Sequence, residues 1–328
     1  RLEIACGGNH SDIRRAMQTD MTTQSGSSQT LPNFLVIGAG KSGTTSLYYY
    51  LKQHPGIFMS PIKEVNYFAY DPQATLPLIN IDKSAFPIKS MEAYQQLFAA
   101  GSGYSARGEA SPMYLWHPAA AGNIHAAIPD ARLIGILRNP VERAYSAYLM
   151  YTSQGLEKRS FRQAVADEIR AHHGGDWPLG RGAYIGLGFY ARQLEKYFRL
   201  FGNGKIKIIL QEDLQNDAQK ILRDIYRFIS VEDDFVPNSL TKHNASGLPK
   251  IRMLEYIFKP RKFVKRVRQL IPPKIHDPIY DILINIRNLN LVKPPMDIET
   301  RRVLMAIFHD DIKKTERLIA RDLDHWWR

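Results

Sequence analysis

Cysteine is all but missing from this chain: Cys6 is the single one in 328 residues. An internal disulfide is therefore impossible, which removes the usual mark of an oxidising compartment and makes a cytoplasmic location the expectation. Cys6 has no apolar elbow or histidine neighbour to make it a nucleophile, and reads as an incidental thiol. No apolar run approaches the roughly 20 residues that span a bilayer. No segment repeats at a fixed period, and no group of His, Cys, Asp and Glu has metal-ligand spacing, so no metal is expected. The chain opens on Arg1 rather than Met, as expected of an excised or processed piece.

Acidic residues are also in short supply, 32 against 44 Lys and Arg, for a formal charge of +12. That balance favours anionic partners: a phosphate-bearing ligand, a membrane surface, nucleic acid or an acidic protein. Charge alone does not choose among them. Hydrophobic residues make up 44% of the chain, enough for a globular core and too many for a disordered one. The exception is residues 1–31, whose Ser/Gln/Thr-rich composition predicts a flexible leader or linker. Residues 32–328 are expected to form one domain.

What is present begins with "GAGKSGTTS", residues 38–46, directly after the apolar run Phe34–Ile37. The run predicts a buried strand, and Thr44–Gln53 predicts a helix ended by His54-Pro55-Gly56. A glycine-rich turn between strand and helix is where backbone N–H groups cradle a phosphate. Yet the loop of nucleoside triphosphatases needs a glycine where this chain has Leu35. A second corner follows the predicted strand Arg132–Leu137. Arg138-Asn139-Pro140 leads into a helix from Val141 to about Tyr151, and Ser146 lies about two turns along it. A further strand, Lys205–Leu210, precedes a helix over Ala218–Phe228, and after residue 250 the pattern is mostly helical. Strands separated by helices predict a three-layer α/β/α fold with a central, mainly parallel sheet, a P-loop-like nucleotide fold and a helical C-terminal part. Parallel strands bring both corners to one sheet edge, so a ligand with two separated phosphate-like groups would suit them.

These residues resemble the sulfotransferases that use 3′-phosphoadenosine 5′-phosphosulfate (PAPS). "GAGKSGTTSLYYYL" is similar to that family's 5′-phosphosulfate loop and "RLIGILRNPVERAYSAY" to its 3′-phosphate motif. "GFYARQLEKYFRLFG", "KIKIILQEDL" and the ending "ARDLDHWW" extend the likeness from about residue 32 to the C-terminus. It is strongest to the branch shared by heparan-sulfate-type enzymes and their bacterial relatives.

The resemblance implies PAPS as co-substrate, adenosine 3′,5′-bisphosphate (PAP) as product and no metal. It places the 5′ end on Gly40, Lys41, Ser42, Gly43, Thr44, Thr45 and Ser46, with Lys41 neutralising the leaving phosphate, and the 3′-phosphate on Arg138 and Ser146. "SPIKEVNYF" is similar to the Lys-Glu-x-x-x-Phe segment in which the Glu is the base, so Glu64 inherits that role beside Lys63. "GEASPMYL" supplies Glu109 as the alternative base, with Ser111 and Tyr114, and Ala110 stands where many animal enzymes have a Lys. That missing cation argues against a polyanionic sugar. His117 is a third, lesser candidate. "LTKHNASGLPKIR" takes the place of the late nucleotide-gripping loop, with Lys242, His243, Asn244, Ser246 and Gly247 closing over the 3′ end. Arg181, Tyr184 and Tyr190 are expected near the same cleft. The acceptor, a sugar, lipid, small metabolite or carrier-tethered group, stays open. The basic stretch 259–268 is either a solvated helix face or a dock for an anionic surface or acidic carrier protein. Two other classes are weighed against this one. A nucleotide kinase is disfavoured by Leu35 and the Arg-Asn-Pro-to-Ser corner. A nucleic-acid-binding module leaves both phosphate corners unexplained.

Overall fold

The computed structural model describes residues 31–70, 78–79, 83–172, 174–240, 247–250 and 289–327. Residues 1–30 of the expected leader, Cys6 among them, the loop residues 241–246 and the basic stretch 259–268 lie outside the described residues, while Leu31, the leader's last residue, is buried in the core.

In chain order the main elements are β1 (Phe34–Gly38), α1 (Thr44–Leu51), β2 (Ile57–Met59), β3 (Leu78–Ile79), α2 (Met91–Gln96), β4 (Ala106–Ala110), α3 (Met113–Trp116), α4 (Ala120–Ala127) and β5 (Arg132–Leu137). They continue with α5 (Pro140–Ser153), α6 (Phe161–His172), β6 (Leu179–Gly180), α7 (Tyr190–Phe201), β7 (Ile206–Leu210), α8 (Gln211–Asn216), α9 (Ala218–Phe228), β8 (Leu248–Pro249), β9 (Leu291–Val292) and α10 (Ile298–Ile319). Five strands form one sheet in the order β2-β4-β1-β5-β7. Every neighbouring pair in it is parallel. The central β1 therefore lies between β4 and β5, and the chain leaves it in opposite directions. This is the switch point at which α/β sheets open a crevice beyond their C-terminal strand ends.

The continuous apolar runs of β1 and β5 follow from burial on both faces. Leu35, Ile37, Leu133 and Leu137 point into one core, packed with Ile124, Val141, Leu194, Leu304 and Phe308 from α4, α5, α7 and α10. Phe34, Val36, Ile134 and Ile136 point into the other, against Leu47 and Leu51 of α1 and Leu222 and Ile225 of α9. The molecule is thus three-layered, as expected.

Two strands of the five-stranded sheet had no sequence signal. β4, "ARGEA", is short of β-branched and aromatic residues because it lies against a large neighbour. A Cβ on Gly108 would sit 2.2 Å from the Phe34 ring, so only glycine fits. β2 is three residues long. Among the described residues no helix is long and apolar enough to cross a membrane.

Candidate active site

The C-terminal ends of β1, β4 and β5 open into a cavity of about 1410 Å³. Among the described residues six cationic side chains line it, Lys41, Lys63, Arg138, Arg143, Arg181 and Lys293, against one carboxylate, Glu64. Such a surplus in a cleft concentrates anions.

The loop after β1 supplies the first wall. Gly40, Lys41, Gly43, Thr44, Thr45 and Ser46 all line the cavity. Gly43 caps α1 with φ +104°, a left-handed conformation that glycine adopts without strain. No side chain caps this helix and no acidic residue occupies its first turn, which leaves its positive end to a ligand. Lys41 Nζ rests 3.4 Å from Met150 Sδ of α5, across the cavity from its own loop. Ser42 is fully buried and does not line the cavity, contrary to expectation. It packs on the inner side of the loop, toward Tyr190.

The second wall comes from α5. Asn139 caps the helix by accepting from the N–H groups of Val141 (2.9 Å) and Glu142 (3.3 Å), and Pro140 fills the first turn. Asn139 Nδ2 also donates to Trp326 O at 2.7 Å, tying the C-terminal "DHWW" turn to this corner. Arg138 Nη1 donates to Lys41 O at 3.2 Å, so the two predicted corners touch. Burial pulls the Arg138 guanidinium below the usual arginine range, with Glu142 opposing. Arginine nevertheless stays charged at neutral pH.

Two predicted ligands do not line the cavity. Tyr190 is fully buried, does not line the cavity, and donates to Arg138 O at 2.9 Å, so it holds the arginine from behind. Burial pushes its phenol up to about 12, against the pull of the Arg143 and Arg138 cations and the Ser42 hydroxyl. Ser146 is likewise fully buried and does not line the cavity. In its place the same helix offers Arg143, three residues earlier and therefore on the same face. Arg143 is 2% exposed yet lines the cavity, and its Nη2 donates to Tyr184 O. Burial lowers its pKa, with Tyr190, Glu168 and Tyr151 opposing. The i,i+3 spacing from Arg143 to Ser146 was the sequence signal that could have found it.

Lys63 and Glu64, joined at 2.6 Å, both line the cavity as well. The Glu64 N–H donates to Ala110 O at 3.1 Å, which fixes this turn to the end of β4. Its side chain is 52% exposed and so accessible to a ligand. Its charge raises the pKa of Tyr151, as does burial more strongly, while Arg143 and Arg181 lower it.

Glu109 is different. It is fully buried on β4, outside the cavity lining. Its carboxylate accepts from Tyr94 (3.1 Å), Tyr114 (2.6 Å) and Ser111 (2.5 Å). Burial raises its pKa while these three hydroxyls pull it down. The geometry gives the alternative base a place in the core rather than at a ligand. His117 is also buried away from the cavity lining.

Arg181 and Ala183 line the cavity and Tyr184 does not. This segment is held by Glu168, whose carboxylate accepts from the N–H groups of Tyr184 (2.6 Å), Ile185 (2.9 Å) and Gly186 (2.9 Å). Of the late loop, Gly247 is buried beside β8 and outside the cavity lining, and His243, Asn244 and Ser246 lie outside the described residues. Glu316, Asp322 and Asp324 gather at the C-terminal end, also outside the cavity lining.

A parallel sheet with a phosphate-type loop, an arginine at the next strand end and a carboxylate lining the same cavity is the arrangement in hand. Comparison with known proteins gives the family. The model of the sulfotransferase family matches residues 32–235, and the chain belongs to that family. A sulfotransferase structure from Alicyclobacillus acidocaldarius is 30% identical, with a TM-score of 0.68 over 90% of this chain and 99% of that one. Mouse SULT7A1 complexed with PAP is 14% identical with a TM-score of 0.50 over 88% of each chain, a likeness of fold alone. Rat carbohydrate sulfotransferase 15 is 25% identical over 61% of this chain and 44% of its own length. Mouse heparan sulfate glucosamine 3-O-sulfotransferase 3B1 is 27% identical over 71% of this chain and 55% of its own length. The chain thus spans about half the length of these curated relatives.

Proposed function

We propose that the chain moves a sulfuryl group from PAPS to a hydroxyl or amine acceptor, with Glu64 as base and Lys41 stabilising the leaving phosphate. The observation that carries this reading is the single cavity joining the α1 N-terminus, Arg138 and the Lys63–Glu64 pair. Its lining suits a nucleotide with separate 5′ and 3′ anions, since cations stand at both corners and Glu64 is the one carboxylate among the described lining residues.

The loop amides and the α1 N-terminus hold the 5′-phosphosulfate, and Arg138 takes the 3′-phosphate. Glu64 accepts the acceptor's proton as its oxygen or nitrogen attacks sulfur in line with the departing phosphate oxygen. The sulfur–oxygen bond to that phosphate breaks, and PAP leaves carrying the electron pair. Sulfuryl transfer resembles phosphoryl transfer in needing alignment and neutralisation of growing charge. Lys41 sits on the loop where that charge grows, and such a cation contributes several kcal/mol when water is excluded. Lys63, paired with Glu64 on the same wall, is the further catalytic residue of this reading.

Residues 32–328 are taken as the sulfotransferase domain, and a cytoplasmic location remains part of the proposal. The relatives named for carbohydrate and heparan sulfate make sugars the first acceptors to test. Lipids, small metabolites and carrier-tethered groups follow. The experiment measures PAP release from labelled PAPS across these acceptors, with magnesium and ATP in a parallel arm. Acceptor-dependent PAP release supports the reading. Turnover of ATP but not PAPS would return the site to the kinase class.

A further inference from the structure

A charged network beyond both predicted corners closes the Arg138 end of the cavity. Glu142, one turn along α5 from Arg138, accepts at Oε1 from Arg301 Nη1 of α10, 2.6 Å away. Its Oε2 accepts from Lys293 Nζ at 2.5 Å, and Arg138 Nη2 lies 3.7 Å from that same oxygen. One carboxylate thus faces three cations, and positive charge remains in excess around it. Two of the three, Arg138 and Lys293, line the cavity. Hydrogen bonds from Lys293 and Arg301 hold the Glu142 carboxyl below the usual range against the effect of burial, so it stays ionised at neutral pH.

The approach of Lys293 is built by several contacts. Leu248 and Pro249 of β8 pair with Val292 and Leu291 of β9, fixing the residue just before it. Tyr145 of α5 donates to the carbonyls of Pro294 (3.0 Å) and Pro295 (3.3 Å), fixing the residues just after it. The two prolines restrict the backbone there. The Lys293 ammonium also sits 5.8 Å from the Tyr145 ring centre. Gly247 directly precedes β8.

We propose that Lys293 is a donor-selecting residue: together with Arg138 it takes the 3′-phosphate of the nucleotide, while Glu142 holds both cations ready. The inference rests on the donor reading above. An ammonium has three donors, and one spent on Glu142 leaves two for phosphate oxygens. Arg301 keeps Glu142 neutralised when Lys293 and Arg138 turn toward the more highly charged phosphate.

The test is calorimetry on the full chain with PAP and with AMP, for the parent, Lys293→Ala and Lys293→Arg. The parent should bind PAP much more tightly than AMP. Lys293→Ala should lose about tenfold in PAP affinity, the scale of one charge-assisted contact, and less than about twofold for AMP. Lys293→Arg should recover most of the loss. Thermal melting without nucleotide should show all three folded, since the Lys293 side chain is 40% exposed. Equal losses for PAP and AMP, or none for either, would overturn the inference and leave Lys293 a tether for the C-terminal segment. A parent that binds PAP and AMP alike would overturn the donor reading itself, and the inference with it.

Discussion

Replacing Glu64 and Glu109 by glutamine separates chemistry from fold, because the two carboxylates stand in opposite environments. Glu64→Gln removes an ion pair whose acid is 52% exposed, and such pairs are worth at most about 1 kcal/mol. The melting temperature should move by roughly 2–4 °C at most for a domain of this size. Turnover should fall by about 10²- to 10⁴-fold as the proton acceptor is lost, equivalent to roughly 3–5 kcal/mol of barrier. PAP binding should survive, because the proposed nucleotide contacts are with the loop after β1 and Arg138. Glu109→Gln puts an amide where three hydroxyls now donate to a fully buried carboxylate. The amide has two donors of its own, so at least one buried donor is left without an acceptor, at about 1–3 kcal/mol each. Together with the lost charge-assisted bonds the cost should be on the order of 3 kcal/mol, a drop of roughly 6–12 °C. Turnover per folded molecule should remain close to the parent value. The assay is single-turnover PAP release with an acceptor found in the screen, normalised to the folded fraction from melting curves. A well-folded, inactive Glu109→Gln beside a Glu64→Gln variant of near-parent turnover would refute the assignment and move the base to β4.

Arg138→Ala should weaken PAP binding by about 10- to 100-fold and AMP binding by much less, given what hydrogen bonds to charged groups contribute. Equal losses in calorimetry would make Arg138 a support for the loop through its bond to the Lys41 carbonyl. Lys41→Ala should depress kcat more than donor affinity, because its charge counts most as the leaving phosphate forms. A loss confined to the KM for donor would contradict that role. A third test concerns acid stability. Hydrogen bonds from Arg159, and secondarily from the Tyr184 hydroxyl, hold the Glu157 carboxyl at about 2, below the ordinary 4.5. A depressed carboxylate stabilises the fold fully above its unfolded pKa and loses that contribution as pH falls through the folded value. The contribution, on the order of 3 kcal/mol at pH 7, should therefore disappear between about pH 5 and pH 2. Urea unfolding should show the parent losing more stability than Glu157→Gln on moving from pH 7 to pH 3. Equal losses would refute the coupling.

By itself the sequence determined the elements whose signals are local. Runs buried on both faces marked β1, β5 and β7. Asn139 and Pro140 marked the start of α5, and the glycine-rich turn marked the anion-binding end of α1. Their order then implied a parallel sheet and placed two phosphate corners on one edge. The same local signals passed over β4, whose composition is dictated by the Phe34 ring lying across Gly108 rather than by strand propensity. Tertiary structure alone decided which polar side chains meet the cavity. Along α5, helical spacing offered both Arg143 and Ser146, and packing buried the serine while leaving the arginine at the wall. Glu64 and Glu109 are both carboxylates from segments similar to family motifs. Only the packing of Tyr94, Tyr114 and Ser111 around one of them shows which is committed to the core. Lys293 lies more than 150 residues from Arg138, yet both reach one oxygen of Glu142. No spacing rule spans such a distance, because the contact exists only once α5, β9 and α10 have packed together.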